Sequence, residues 1–166
     1  MENGVSAVVT APRRVEDASG RRIDLRELRS GDRDALVEMY LDLDGRCRAM
    51  GIPPVTEPDL NSWLDSLEDG HNLVAWHEGR LVGHAVTIPD GDSSHELAVF
   101  VHQDYQNARV GTELVRTLLG DATEAGIDSV WLTVACGNAS AKRLFRSVGF
   151  TVEERSRRQL TMRLDL

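Results

Sequence analysis

The segment from Phe100 to Leu114, FVHQDYQNARVGTEL, constrains this chain more than any other part of the sequence. An apolar run typical of a strand leads through a polar turn into an apolar pattern of helical period, with Gly111 at the junction. A strand that enters a helix in this way presents unpaired backbone N–H groups and the positive end of the helix dipole at one point. That point attracts phosphate, and Gly111 lets a ligand approach the backbone because glycine has no Cβ. Many such turns bind nothing, so the order of the surrounding elements decides the interpretation.

Periodicity along the chain predicts an α+β protein with the element order β-α-α-β-β-β-α-β-α-β-β. Residues 1–20 have no periodicity and predict a flexible N-terminal tail whose arginines are solvated, and residues 21–166 predict a single domain. The hairpin signal is Glu78-Gly79, between two apolar runs. The predicted helices cover residues 32–43, 60–67, 110–125 and 138–148.

The charge balance limits the classes of partner. The chain has 27 acidic and 19 basic residues and a net charge of −8, which repels nucleic acid and anionic membranes. No apolar run approaches the roughly 18 residues of a membrane helix, and the sequence starts without a signal-peptide core, so we expect a cytoplasmic protein. Cys47 and Cys136 do not have metal-ligand spacing, and we expect no metal site.

Two motifs and the element order resemble the GNAT family of N-acetyltransferases, which use acetyl-CoA to acetylate a primary amine. YQNARVGTEL is similar to the pyrophosphate loop of that family, and NASAKRLFRSVGF is similar to its Asn, Ala, aromatic, Gly-Phe helix. The resemblance covers residues 23–165. It implies a central mixed, mostly antiparallel sheet of six to seven strands, splayed in the middle, with about four helices and with the cofactor in the gap.

The resemblance also implies roles for individual residues. The pyrophosphate would be held by the loop and the first helical turn: Gln106, Asn107, Ala108, Arg109, Val110, Gly111 and Thr112. The pantetheine arm would pair with the strand before the loop, at Val99, Phe100 and Val101, and its lower part would lie between Asn138 and Ala141. Phe145 is the last position that the resemblance assigns to cofactor binding. Asn138 also satisfies the position of a helix N-cap.

Two positions depart from the family pattern. Arg109 stands where the family usually has the first glycine of its loop, and we expect ordinary helical φ there, with a guanidinium that either binds phosphate or is solvated. Phe145 stands where the family commonly has a tyrosine that protonates the departing thiolate. Because phenylalanine cannot donate a proton, the thiolate would leave unassisted, take a proton from water, or use Ser140 or Tyr40.

The general base is assigned by position. His95 falls where the family often has a glutamate or a histidine that deprotonates the amine through water, and an ordinary histidine is mostly neutral at pH 7. Glu96 takes this role if the register slips by one residue. The alternative for His95 is a solvated side chain at the end of a strand.

The sequence predicts direct acetyl transfer to an amine, with a ping-pong route through Cys136 as an alternative that lacks a neighbouring base. A non-catalytic acyl-CoA sensor of the same fold is the competing class, and a nucleotide-binding enzyme of another family is a distant third. The acceptor, a small molecule or a protein amine, would meet the first two helices and the loop RCRAMGIPPVTEP, where Asp42, Asp44, Glu57 and Asp59 could receive a cation. A homodimer stays open.

Overall fold

The computed structural model describes residues 7–47, 52–91 and 93–166. Within these ranges the chain forms eight strands and four α-helices. The strands are β1 (Arg13–Glu16), β2 (Arg22–Glu27), β3 (His71–His77), β4 (Arg80–Pro89), β5 (Ser94–Val101), β6 (Ser129–Ala135), β7 (Thr151–Arg155) and β8 (Gln159–Asp165). The helices are α1 (Arg33–Leu41), α2 (Glu57–Ser66), α3 (Val110–Glu124) and α4 (Ala139–Ser147).

All strands belong to one sheet of order β1-β2-β3-β4-β5-β6-β8-β7. Neighbouring strands are antiparallel except for β5 and β6, which are parallel. This parallel pair is short, because Ser94 to Glu96 pair with Ser129 to Trp131 and the two strands separate beyond that point. The α+β class and the mixed sheet that opens in the middle are confirmed.

Two apolar cores cover the two faces of the sheet. One contains most of the buried face of α3 together with Phe145 of α4, and the other contains the buried residues of α1 and α2. The register of β5 is regular, so Leu97, Val99 and Val101 pack on the α3 side while Ala98 and Phe100 pack on the α1–α2 side.

The flexible tail predicted for residues 1–20 is wrong for its second half. Residues 13–16 form the edge strand β1, which adds an eighth strand, and Arg13 donates to Glu113 and Thr117 of α3. The strand was missed because RRVE is mostly polar and lacks a buried apolar stripe: it pairs with β2, and Arg13 forms an ion pair with Glu113, a hundred positions away. Residues 1–6 lie outside the described ranges, as do residues 48–51 of the predicted acceptor loop.

Candidate active site at the separation of β5 and β6

A cleft of about 1430 Å³ opens beside the separated end of β5, between α3 and α4. It brings together most of the residues predicted to bind a cofactor. They are Val99, Phe100, Val101, Gln106, Asn107, Arg109, Val110, Gly111, Thr112, Asn138 and Ala141.

The turn before α3 has an unusual backbone. Arg109, the residue before the first helical residue, is left-handed with φ 71° and ψ 8°, and Asn107 also has a positive φ of 54°. The prediction of ordinary helical φ at Arg109 is therefore wrong. The glycine conformation is kept although the glycine is absent, because contacts of the neighbouring Gln106 and Ala108 hold the turn. A left-handed non-glycine residue costs about 1 to 2 kcal/mol.

Gly111 allows close packing at the first turn of α3. A Cβ added there would lie 3.1 Å from Leu144 Cδ1 and 3.5 Å from Val101 Cγ2. α3 therefore approaches α4 and β5 closely at its first turn, where the backbone N–H groups lack helical partners. This turn presents donors to the cleft without a side chain in the way.

The side chain of Gln106 holds the loop in place. Its Nε2 donates to Val101 O and to Cys47 Sγ, each at 3.0 Å. Gln103 adds two more links, since its Nε2 donates to Asp42 O and its Oε1 accepts from Asp44 N. The segment after α1 is thereby tied to the loop, and the Gln106 amide serves the protein rather than pointing freely at a ligand.

The turn between β1 and β2 contacts the loop from the side opposite the cleft. The sequence patterns did not predict this contact. Ala18 N donates to Ala108 O at 2.9 Å, and Arg21 donates to Asp104 O at 3.0 Å. The Arg21 guanidinium lies over the Tyr105 ring, 4.0 Å from its centroid. Ala108 is buried by these contacts and does not line the cleft, so within the described chain it supports the loop from behind.

Asn138 has the structural role that its position suggested. Its Oδ1 accepts from Ala141 N at 3.0 Å and caps α4. The neighbouring Ser140 donates to Asn107 Oδ1 at 3.4 Å, which connects the start of α4 to the turn. Asn138, Ser140 and Ala141 all line the cleft, so capping and ligand contact are compatible.

Phe145 lies in the core. It is 6% exposed, and its ring meets Phe150 edge to face at a centroid distance of 5.7 Å. It is not among the described residues that line the cleft. The ring contributes packing under the cleft, and no side-chain donor occupies its position.

His95 and Glu96 lie on opposite faces of β5, in its last paired residues before the strands separate. His95 faces the α3 side, and its Nδ1 is buried without a hydrogen-bond partner in the described structure. Glu96 faces the α1–α2 side, where burial raises the pKa of its carboxyl and Asp90 adds to the rise. In the part of the chain described, neither side chain lines the cleft, whose β5 lining begins at Val99. Both residues lie on the part of β5 that still pairs with β6.

Two other residues with proposed chemistry have structural partners. The Tyr40 hydroxyl bonds to His84 Nδ1 at 2.6 Å inside the α1–α2 core. Cys136 Sγ donates to Ser156 O at 3.7 Å. Among described residues neither is part of the cleft lining, whereas Ser140 is.

Arginines add positive charge to the cleft. Besides Arg109, its lining includes Arg116 on α3 and Arg143 and Arg146 on α4. The last three were not singled out from sequence. The signal that could have found Arg143 is helical spacing, since positions 140, 143 and 147 lie along one side of α4.

Residues 36–150 match the family model described as the acetyltransferase (GNAT) family. The chain belongs to this GNAT family. The resemblance seen in the two motifs is thereby confirmed, and the match includes both the loop and α4.

Relatives and solved structures agree with this assignment. The ribosomal protein bS18 alanine N-acetyltransferase of Escherichia coli K12 is 29% identical over 79 residues, which is 48% of this chain and 53% of the relative. The GNAT domain of PAT from S. lividans superposes with a TM-score of 0.80 at 18% identity and covers 93% of this chain and 96% of that one. The protein yncA of Salmonella typhimurium, solved with its cofactor acetyl-CoA, has a TM-score of 0.72 at 22% identity, and the match covers 87% of this chain and 94% of that one.

This GNAT chain spans about half the length of the curated relatives it matches. Across the described residues, no helix has the length and apolarity needed to span a membrane. The same residues contain no group of three or more His, Cys, Asp or Glu side chains arranged to hold a metal ion.

Proposed function

We propose that this chain is an acetyl-CoA-dependent N-acetyltransferase that transfers the acetyl group directly to a primary amine. The main support for this proposal is the cleft where β5 and β6 separate. The cleft is bordered by the left-handed turn and by the first turn of α3. The residues fit the co-substrate. The turn offers N–H groups and the Arg109 guanidinium to a pyrophosphate, and the edge of β5 at Val99 to Val101, beyond its pairing with β6, offers backbone groups to a pantetheine amide.

The proposed reaction has one bond-forming step. The neutral amine attacks the thioester carbonyl, the new C–N bond forms, and the C–S bond breaks. The amine gives one proton to a general base, and the departing thiolate takes one from a donor or from water. A thiol pKa near ~8.5 makes the thiolate a tolerable leaving group without strong acid assistance.

We propose Glu96 as the base, with His95 as the alternative. Glu96 lies where β5 and β6 begin to separate and faces the helices α1 and α2, the side from which the resemblance brings the acceptor. Burial raises the pKa of its carboxyl, which makes the carboxylate a stronger proton acceptor. His95 faces the opposite core, and its buried, unpartnered Nδ1 is the observation that keeps it in consideration.

Of the two side-chain donors of the thiolate proton considered from the sequence, Ser140 and Tyr40, the described cleft lining contains Ser140. Ser140 lies near the first turn of α4, while the Tyr40 hydroxyl is engaged by His84 in the core. We propose Ser140 or water as the donor. The position of Cys136 outside the described cleft lining supports direct transfer over a covalent acyl-enzyme.

The acceptor is proposed by class only, as a primary amine of a small molecule or a protein. The E. coli relative is named for an alanine of a ribosomal protein, which supports an α-amino group as one acceptor to test. Of the acidic residues predicted to receive a cation, Asp42 accepts from His102 and Arg80, and Asp44 pairs with Arg46. Glu57 lines a groove between α1 and α2, and it is the better candidate because it starts α2 at the surface.

The competing proposal is an acyl-CoA sensor, which the phenylalanine at position 145 favours because it cannot donate a proton. A panel of primary amines, including an N-terminal alanine peptide, with detection of free CoA separates the two proposals. Acetyl-CoA binding without CoA release on any amine would favour the sensor. The homodimer and the cytoplasmic location stay predictions.

The base assignment is tested on the best acceptor with Glu96→Gln and His95→Gln, two neighbouring, nearly isosteric changes on opposite faces. We expect Glu96→Gln to lower kcat by about 100-fold with little change in acetyl-CoA affinity, and His95→Gln to stay within about tenfold of the parent. The reverse ranking would assign the base to His95. Full activity in both variants would show that neither side chain is the base, and that the amine loses its proton through a chain of water molecules or without a base.

A further inference from the structure

Glu96 shares its face of the sheet with a second carboxylate. Asp90 directly follows β4 and lies opposite Ser94, since its N–H donates to Ser94 O at 2.8 Å. Ile88 pairs with Glu96 in the β4–β5 register, so Asp90 and Glu96 are diagonal neighbours on one face. Diagonal neighbours of an antiparallel pair lie within reach of long side chains.

Trp131 reaches the same carboxylate from the other side of β5. It pairs with Glu96 in the parallel register of β5 and β6, so the two side chains share a face. Its indole Nε1 donates to Asp90 Oδ2 at 3.0 Å. Because β5 lies between β4 and β6, this hydrogen bond carries the indole across β5 beside Glu96.

The two neighbours act on Glu96 in the same direction. Burial, to which a half-buried indole alongside contributes, disfavours the charged carboxylate. A like charge at Asp90 disfavours it further, and the pKa of Glu96 is raised by both effects. Without the indole bond, the exposed Asp90 side chain would be free to turn toward water.

Other charged groups on this face are balanced or lie further away. Arg163 of β8 lies opposite Trp131, and it reaches β5 at Ser94 Oγ while its charge is paired with Glu153. The remaining charged residues of this face on β7 and β8 are Glu154 and Asp165. β8 is two strands from β5, a separation of about 10 Å, and β7 lies beyond it.

The elements packed around β5 add no charge that opposes Asp90 among the described contacts of Glu96. His95 lies on the opposite face of β5. The helices α1 and α2 place the rings of Tyr40 and Trp63 against Phe100. Burial raises the pKa of Tyr40 well above its usual value, so its hydroxyl stays neutral.

We propose that Asp90 and Trp131 are positioning residues for Glu96, with the indole holding the Asp90 carboxylate beside the base. The proposal rests on the proposed function, because it takes Glu96 as the base. Neither residue touches the reacting atoms, and both act through Glu96. Their effect is to make Glu96 a stronger proton acceptor, which speeds removal of the proton from the amine.

The arrangement is tested first in the protein without substrate. Carbon-13 NMR follows the titration of the Glu96 carboxyl, whose signal is assigned by its loss in Glu96→Gln. The titration midpoint should move to lower pH in Asp90→Asn and in Trp131→Phe, while Asp90→Glu should keep it close to the parent value. Asp69→Asn is the matched control, because it removes the same charge from an exposed turn after α2 and should leave the midpoint unchanged.

Thermal unfolding verifies that each variant is folded. An unchanged midpoint in a folded Asp90→Asn protein would overturn the proposal.

The role of the indole is tested by combining the changes. Trp131→Phe keeps an aromatic ring but removes the hydrogen-bond donor. If the indole acts by holding Asp90, the shift in the double variant Trp131→Phe with Asp90→Asn should be smaller than the sum of the two single shifts. Additive shifts would overturn the link between the two residues.

The pH profile of kcat/KM on the best acceptor gives the second readout. Above the midpoint of the parent, Asp90→Asn should be about two- to tenfold slower, because its Glu96 is a weaker base. Below the midpoint it should be faster than the parent, because more of its Glu96 is ionised, so the two profiles should cross. The acceptor amine ionises alike in every variant, and a uniform loss at all pH values would show a merely structural role and overturn the proposal.

The two readouts separate this proposal from the proposed function. A shifted NMR midpoint in a protein that releases no CoA with any amine would overturn the proposed function, although Asp90 and Trp131 still act on Glu96. A shifted NMR midpoint with a rate profile that does not follow it would show that Glu96 is not the base, which overturns the positioning role while acetyl transfer stands.

Discussion

At the scale of single residues, Arg109 combines a strained backbone with an exposed cationic side chain at the cleft. Strain of this kind persists where the surrounding structure imposes it, and here the loop is held by Gln106, by Ala18 and by the start of α3. The sequence pattern indicated that a glycine had been replaced. It could not indicate that the glycine conformation is retained, because that depends on the contacts which hold the loop.

Arg109→Gly should increase the free energy of unfolding by up to about 1 kcal/mol, because glycine adopts the left-handed conformation without strain. The increase is smaller than the strain itself, because glycine also raises the conformational entropy of the unfolded chain. Arg109→Ala is the control, since it removes the same side chain but keeps the strained Cβ. Urea unfolding should rank the glycine variant above the alanine variant. The opposite ranking would contradict a left-handed Arg109.

The same two variants test the guanidinium. Both should weaken acetyl-CoA binding about tenfold if Arg109 contacts phosphate, and the loss should shrink as salt rises. Calorimetry at low and high salt gives the answer. A loss near zero that does not depend on salt would leave the Arg109 side chain solvated.

At the scale of elements, a buried chain of hydrogen bonds joins α1, β4 and β3. Asn72 Nδ2 donates to Leu67 O and Gly70 O, so Asn72 Oδ1 accepts from His84 Nε2 at 2.8 Å. His84 Nδ1 is then the acceptor for the Tyr40 hydroxyl. Burial lowers the pKa of His84 to about 3, so the ring stays neutral. Its role could not be read from sequence, because the burial arises only when the elements pack.

This histidine should make stability depend on pH. Below its ordinary pKa of about 6.5 the unfolded chain takes a proton at His84, while the folded protein does so only near a pKa of about 3. Its stabilising effect is complete above about pH 6.5 and is lost as pH falls toward 3, with a slope approaching about 1.4 kcal/mol per pH unit. His84→Gln should reduce the slope of unfolding free energy between about pH 6 and 5, above the main carboxyl range.

Tyr40→Phe is the control for that measurement. It removes the hydroxyl partner and should cost about 1 to 3 kcal/mol, because His84 Nδ1 loses its hydrogen bond, yet the buried histidine remains and the slope should persist. Equal slopes in the parent and in His84→Gln would contradict a neutral buried ring at this position.

At the scale of the whole molecule, elements with strong periodicity were predicted well. The Glu78-Gly79 turn joins β3 and β4, and α3 spans residues 110–124 as its apolar stripe indicated. The polar strand β1 was missed, because its residues carry no apolar alternation and its contacts to α3, an ion pair to Glu113 and a hydrogen bond to Thr117, are remote in sequence. The cleft was predicted from the loop and α4, whereas Val8 joins its lining only because the N-terminal segment packs on α3.

The most direct test of the central claim, that this cleft binds acetyl-CoA through the first turn of α3, is calorimetric titration of Gly111→Asp against Gly111→Ala. Both variants introduce the Cβ that crowds Leu144, so their difference isolates the carboxylate at the phosphate position. We predict that the aspartate variant binds acetyl-CoA at least tenfold more weakly than the alanine variant, about 1.4 kcal/mol. Equal affinities in two folded proteins would contradict the assignment of the cleft.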